Sequence, residues 1–221
     1  MALITRWQNS AGERVRIALH LKDVDYTYVA LKSLPPGDYR RINPQGLLPT
    51  LQVDGRSIAQ SAAILEFLDE TYPLPPLLPA DPVLRAQARA FGAHIAAEMH
   101  AITVNRVRKF LEGELAVVPS GVERWVNHWL AAGFTALEAA LAARTRGWPF
   151  CFGDTPGWAD LHLVPQLAAA RRLGSDLSPY ARLLAMEAKC SQPIQARRAL
   201  PFTRFFAVWL TAAASSRTPD R

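Results

Sequence analysis

Cysteine is scarce: only Cys151 and Cys190 occur in 221 residues, too few for a disulfide framework or a multi-cysteine metal site. That scarcity points to a reducing, cytoplasmic setting. Long apolar runs are missing too. Residues 205–214 form the longest one near the end, well short of the roughly 20 that span a bilayer, so no membrane partner is expected. At the start, Arg6, Gln8 and Asn9 interrupt the chain before the apolar centre of a secretion signal could form. Nor is there one long basic stripe. The 25 Lys+Arg exceed the 19 Asp+Glu, giving a net charge of +6, but the positives are scattered, with arginine doublets only at Arg40-Arg41, Arg171-Arg172 and Arg197-Arg198. Without a zinc finger, a helix-turn-helix or an aromatic-basic motif, nucleic acid is not expected as a partner. The charge either draws in small anions or is plain solvated arginine. His20, His94, His128 and His162 lack ligand spacing, so no metal is expected.

What is present is the mixture of a soluble globular chain, 50% hydrophobic and 20% charged. Residues 3–7 read as a strand and residues 8–12 as a polar turn. Val15, Ile17, Ala18, Leu19 and Leu21 then mark a helix over about 13–22. Residues 26–30 are rich in strand formers. A loop with Pro35-Pro36-Gly37 and Asn43-Pro44 leads to Thr50–Val53, Asp54-Gly55 and Arg56–Ile58, a hairpin signal. Ala62, Ile64, Leu65, Phe67 and Leu68 mark a helix to about residue 72, with Ser61 as a candidate N-terminal cap. The order is βαβ, then ββα, which predicts a mixed four-stranded sheet with helices.

Five prolines between Pro73 and Pro82 then predict a rigid connector. Beyond it, alanine-rich segments at about 82–113, 120–145, 158–172 and 180–199 read as helices. The expected organisation is an α/β domain at 1–75, a linker at 76–82 and an all-α domain at 83–221 with a polar tail. Asp160, three residues after Gly157, reads as part of a helix-start motif that supports folding rather than catalysis.

Four motifs occur in a telling order: Arg14-Val15-Arg16-Ile17-Ala18-Leu19, Asn43-Pro44-Gln45-Gly46-Leu47-Leu48-Pro49, Gln60-Ser61-Ala62-Ala63-Ile64 and Asp160-Leu161-His162-Leu163-Val164-Pro165-Gln166. With this element order, the chain resembles the glutathione transferase family, and within it the zeta class with its maleylacetoacetate and maleylpyruvate isomerases. The resemblance implies a thioredoxin-like first domain, glutathione as cofactor, a small acidic substrate and a homodimer. It implies that Pro49 is cis and that the Leu48 main chain pairs with glutathione, whereas the residues alone read as a turn before a strand. It assigns Gln60 and Ser61 to the γ-glutamyl end. An open helix start and a hydroxyl make a compact carboxylate site.

The class carries a serine-serine-cysteine-like segment after the first strand, its leading serine bonding the glutathione sulfur. That serine falls on Asn9 here, followed by Ser10 and Ala11. Either Asn9 or Ser10 could contact the sulfur, and the alternative is a turn with no chemical role. Glu13 beside the same helix start would slightly disfavour a thiolate. In the second domain, Phe91, Ile95, Met99, Ile102 and Arg106 share one helical face. The resemblance assigns Arg106 and Arg172 to substrate carboxylates and His100 to the neighbourhood of glutathione, against a plain reading of surface ion pairs and a hydrogen-bonded histidine. The family's proline and asparagine are replaced by Ala101 and Val104. The implied activity is cis–trans isomerisation of a maleyl-type keto diacid by reversible thiolate addition. The alternatives are glutathione transfer or dehalogenation on another acidic electrophile, or a binding protein without catalysis.

Overall fold

The computed structural model describes residues 1–191, which divide into two compact units, one of Met1–Leu77 with residues 190–191 and the other of Leu78–Lys189. The first holds a four-stranded sheet in the order β2-β1-β3-β4, with β1 at Ala2–Thr5, β2 at Thr27–Ala30, β3 at Thr50–Val53 and β4 at Arg56–Ala59. Leu3, Ile4 and Thr5 are all buried. Because successive side chains face opposite sides, both faces of this central strand are covered. β1 runs parallel to β2 and antiparallel to β3. The parallel pair needs a crossover, and α1 at Ser10–Leu21 supplies it. Asp54 and Gly55 both have positive φ, 48° and 75°, as a two-residue type I′ hairpin requires. A short helix α2, Asp38–Ile42, precedes β3, and α3, Ser61–Thr71, follows β4. The mixed sheet with flanking helices is the architecture expected.

One buried lysine ties this unit shut. Lys22 Nζ donates to Asp69 Oδ1 at 2.8 Å, to the Tyr72 carbonyl at 2.6 Å and to the Pro75 carbonyl at 2.9 Å. All three ammonium donors are used. Asp69 Oδ1 also accepts from the Leu77 N–H at 2.9 Å, so the ends of α1 and α3 and the start of the prolyl segment share one knot. Lys22→Met should cost about 3 kcal/mol in urea unfolding, because it strands a largely buried carboxylate and two carbonyls.

The second unit is helical. Asp81 caps α4, Pro82–Ala93, by accepting from the Leu84 N–H at 2.8 Å. The single helix expected to Gly113 is instead broken. A π-helical stretch, His94–His100, leads into α5, Ala101–Thr103, then Val104 turns extended and α6 runs Asn105–Gly113. The cause is tertiary. Trp125 Nε1 donates to the Ile102 carbonyl at 2.9 Å, taking the acceptor that the Arg106 N–H would have used in a continuous helix. Thr103 Oγ1 also bonds back to the Met99 carbonyl at 2.7 Å, a contact that bends helices.

Trp125 lies on α7, Pro119–Ala142, whose Val126, Leu130, Phe134, Leu137 and Leu141 step along one face into the core. That core also takes Phe91, Ile95 and Met99, and Leu163 and Leu167 from α8, Trp158–Arg172. α8 is buried almost throughout and is the central element. α9, Ala181–Cys190, closes the described chain. The remainder of the helix expected to residue 199, and the expected polar tail, lie outside the described residues. Among the described residues, no helix is long and apolar enough to cross a membrane.

Candidate functional site

Strand register brings three separate segments to one end of the sheet. Ile4 pairs with Thr50, and Thr50 with Ala59. The turn after β1, the loop before β3 and the helix after β4 therefore emerge together, carrying Asn9-Ser10, Leu48-Pro49 and Gln60-Ser61.

The first segment differs from the sequence expectation. α1 begins at Ser10, not Glu13, with Asn9 as its cap: Asn9 Oδ1 accepts from the Gly12 N–H at 2.6 Å. Asparagine is among the preferred caps because its carbonyl satisfies an N–H left open at the helix start. The bond also orients the amide. With its oxygen engaged by the helix, the NH2 group remains as a donor that the cap does not use. Ser10 is the first helical residue and is buried, 5% exposed. Gly12 permits the close approach, since a Cβ there would overlap Thr5 Oγ1. Arg16 anchors the same turn, donating from Nη2 to the Trp7 carbonyl at 2.5 Å and lying 4.5 Å over the Trp7 ring. Glu13 is buried, 4.0 Å from Arg16, so its charge is countered inside the unit rather than displayed at the helix start.

The second segment is held by Asn43 and Tyr39, both buried. Asn43 Nδ2 donates to the Leu47 carbonyl at 2.8 Å and to Thr50 Oγ1 at 3.1 Å, while its Oδ1 accepts from the Gln45 N–H at 3.1 Å. The Tyr39 hydroxyl donates to the same Leu47 carbonyl at 2.6 Å. These bonds fix the loop on both sides of Leu48-Pro49, whose peptide bond is cis, as the resemblance implied. A second cis bond, Leu74-Pro75, was not anticipated. The Leu48 N–H and C=O have no backbone partner among the described residues. They are available to an extended peptide.

The third segment is strained and uncapped. Gln60 sits at φ 70°, ψ 119°, a region that costs a residue with a Cβ about 1–3 kcal/mol. Its Nε2 donates to Gln45 Oε1 at 2.8 Å, joining the second and third segments. No side chain caps α3 and no acidic residue occupies its first turn. Ser61 is not the cap but the first helical residue, and it is buried, 6% exposed. Behind it, Arg14 Nη1 donates to Ser61 Oγ at 3.3 Å.

The remaining candidates lie on the helical unit. His100 ends the π-helical stretch, half-buried. Arg106 is exposed on α6, beyond the break at Val104, so it does not continue the apolar face of Phe91, Ile95 and Met99. Arg172 is exposed at the end of α8. Its neighbour Arg171 makes the surface ion pair, bidentate to Glu187 at 2.5 Å, and that bond raises the Arg171 pKa. Sequence reading missed Arg14, Tyr39 and Asn43 as supports. The available signal was an arginine set among Val15, Ile17, Ala18 and Leu19 in α1, and an asparagine directly before Pro44.

The comparisons agree with this geometry. Residues 10–71 match the family model described as the glutathione S-transferase N-terminal domain. A maleylpyruvate isomerase of Ralstonia sp. is 38% identical over 205 residues, covering 91% of this chain and 97% of that protein. A holo structure of maleylpyruvate isomerase, described as a bacterial zeta-class glutathione transferase, superposes with a TM-score of 0.83 at 38% identity. It covers 92% of this chain and 98% of that one. The maleylacetoacetate isomerase of Methylobacterium extorquens AM1, solved with bound malonate and glutathione, gives a TM-score of 0.83 at 32% identity, over 92% of this chain and 97% of that one. With motif order, sheet topology and these relatives in agreement, the chain belongs to the zeta class of the glutathione transferases.

Proposed function

We propose that this protein is a glutathione-dependent cis–trans isomerase of a maleyl-type keto diacid, such as maleylpyruvate or maleylacetoacetate. The observation that carries the reading is the convergence at one sheet end of an unpaired Leu48 main chain beside cis Pro49 and an uncapped helix start at Ser61. Those groups fit glutathione, a peptide with an amide centre and carboxylates at both ends. Leu48 would pair with the amide centre, and Gln60, Ser61 and the open N–H groups of α3 would take the γ-glutamyl end. The relative with bound malonate and glutathione supports a dicarboxylate as co-occupant.

When bound, glutathione supplies a sulfur nucleophile whose reversible attack on a conjugated double bond allows that bond to rotate. The Asn9 amide or the neighbouring Ser10 hydroxyl, together with the N-terminus of α1, would hold the sulfur in its anionic form, because donors and a helix N-terminus favour a thiolate. Arg106 and Arg172 hold the substrate carboxylates, for which guanidinium is suited by charge and by its paired donors. For His100, the family resemblance alone suggests a place near glutathione. Two copies form a homodimer, which sedimentation would reveal.

The test is incubation with glutathione and maleylpyruvate, then with maleylacetoacetate. Formation of the fumaryl isomer with glutathione neither consumed nor dispensable supports the reading. Stoichiometric loss of glutathione would identify a transferase instead. Binding without turnover would identify a binding protein.

The cap geometry supports Asn9 over Ser10 as the sulfur contact, and substitution tests the choice. Asn9→Ala removes both the donor and the cap and should lower kcat by about 10- to 100-fold, with a stability loss of about 1 kcal/mol. Ser10→Ala, at a buried helical position, should change kcat less than about fivefold. The reverse ranking in a steady-state assay would transfer the sulfur contact to Ser10.

A further inference from the structure

Arg14 is an unusual residue for a helix interior facing a core. Its side chain is 1% exposed, and of its three nitrogens only Nη1 has a partner. Nε and Nη2 are buried without one. The partner is Ser61 Oγ, the first residue of α3. A guanidinium can only donate, so the serine oxygen is the acceptor here, and its own proton is free to point elsewhere. A hydroxyl that accepts from a cation is polarised into a better donor.

The charge has a second consequence. α3 presents its unsatisfied N–H groups with no cap and no acidic residue in the first turn, so the partial positive charge of the helix start is unopposed. Arg14 adds a full positive charge behind it. Burial is expensive for that charge: desolvation pushes its pKa down to about 10, with the nearby Glu13 carboxylate partly offsetting the loss. A pKa of about 10 still leaves the group charged near pH 7. An unpaired buried cation of this kind is destabilising by itself, and an anion at the start of α3 would relieve it.

We infer that Arg14 is a positioning residue for an anionic ligand group at the start of α3, the γ-glutamyl α-carboxylate of glutathione, and that it acts through Ser61. This rests on the glutathione reading given above. Arg14 orients the Ser61 hydroxyl outward and supplies charge from within. Ser61 and the α3 N–H groups make the direct contact.

The test compares two ligands by calorimetry on the full chain: glutathione and γ-aminobutyryl-cysteinylglycine, which lacks only that carboxylate. The wild type should prefer glutathione by about tenfold or more, the usual worth of a hydrogen bond to a charged group. In Arg14→Met the preference should fall below about threefold, and Arg14→Lys should recover part of it, because charge persists without the fork geometry. Should Arg14→Met fail to fold in thermal unfolding, the reduced preference of Arg14→Lys relative to wild type carries the same comparison. A purely structural role would weaken both ligands alike and leave the preference intact, which overturns the inference. A wild type that binds both ligands equally overturns it too, while leaving the glutathione reading standing. A wild type that binds neither ligand removes both.

Discussion

Asp160→Ala should destabilise the helical unit by about 3 kcal/mol, since it strands two N–H groups at the start of a buried helix. Asp160 is 3% exposed. Its Oδ1 accepts from the Cys151 N–H at 3.1 Å and its Oδ2 from the Gly157 N–H at 3.0 Å. Gly157 occupies the cap position but has no side chain to bond back, so only the acidic half of a capping box operates. Burial is the leading influence on this carboxyl and raises its pKa despite those bonds. Asp160→Asn retains one acceptor and sets an NH2 group against the other N–H, so it should fall between wild type and alanine. Urea unfolding followed by circular dichroism measures both. A loss under about 0.5 kcal/mol for alanine would mean that the turn finds other acceptors.

The second large effect concerns the arginines proposed for the substrate. If Arg106 and Arg172 each hold a carboxylate, Arg106→Met and Arg172→Met should each lower kcat/KM for the maleyl diacid by about 10- to 100-fold, the range for a hydrogen bond to a charged group. Glutathione affinity should be unchanged, since the groups proposed to hold it lie on Met1–Leu77. Arg171→Met is the control. That side chain is held by Glu187, and a half-exposed ion pair is worth about 1 kcal/mol or less. Equal effects at Arg171 and Arg172 would reduce the pattern to surface charge.

The sheet was legible because its signals are local: an Asp-Gly turn between short apolar strands, and apolar residues at helical spacing in α1 and α3. The helix start at Ser10 was less so. Asn9, Ser10 and Gly12 read as a turn, yet asparagine before a helix is equally a cap, and Gly12 is demanded by the nearness of Thr5 in space. The break at Val104 depends on Trp125, more than twenty positions away, capturing the Ile102 carbonyl. No window around Val104 contains that information. Gln60 at positive φ is likewise a product of its surroundings, because glutamine seldom adopts such a conformation.

The family resemblance led to Leu48, Pro49, Gln60 and Ser61, and the structure adds what places them together: the row Ile4, Thr50 and Ala59 across the sheet. Arg14 escaped for a different reason. A charged residue in a helix ordinarily marks the solvent face, and only three-dimensional packing reveals one turned inward. The family resemblance singled out Arg172 from the Arg171-Arg172 doublet, and the structure adds that Arg171 is held bidentate by Glu187.

Titrating the isotopically labelled chain with glutathione and following its backbone amides by NMR examines the peptide-binding claim without relying on any substrate. The amides of Ser10, Leu48, Ser61 and Ala62 should shift together along one saturation curve, because they surround the same end of the sheet. Saturable binding that leaves all four unmoved would show that glutathione is held elsewhere, and the proposed roles of Asn9, Leu48, Ser61 and Arg14 would fall together.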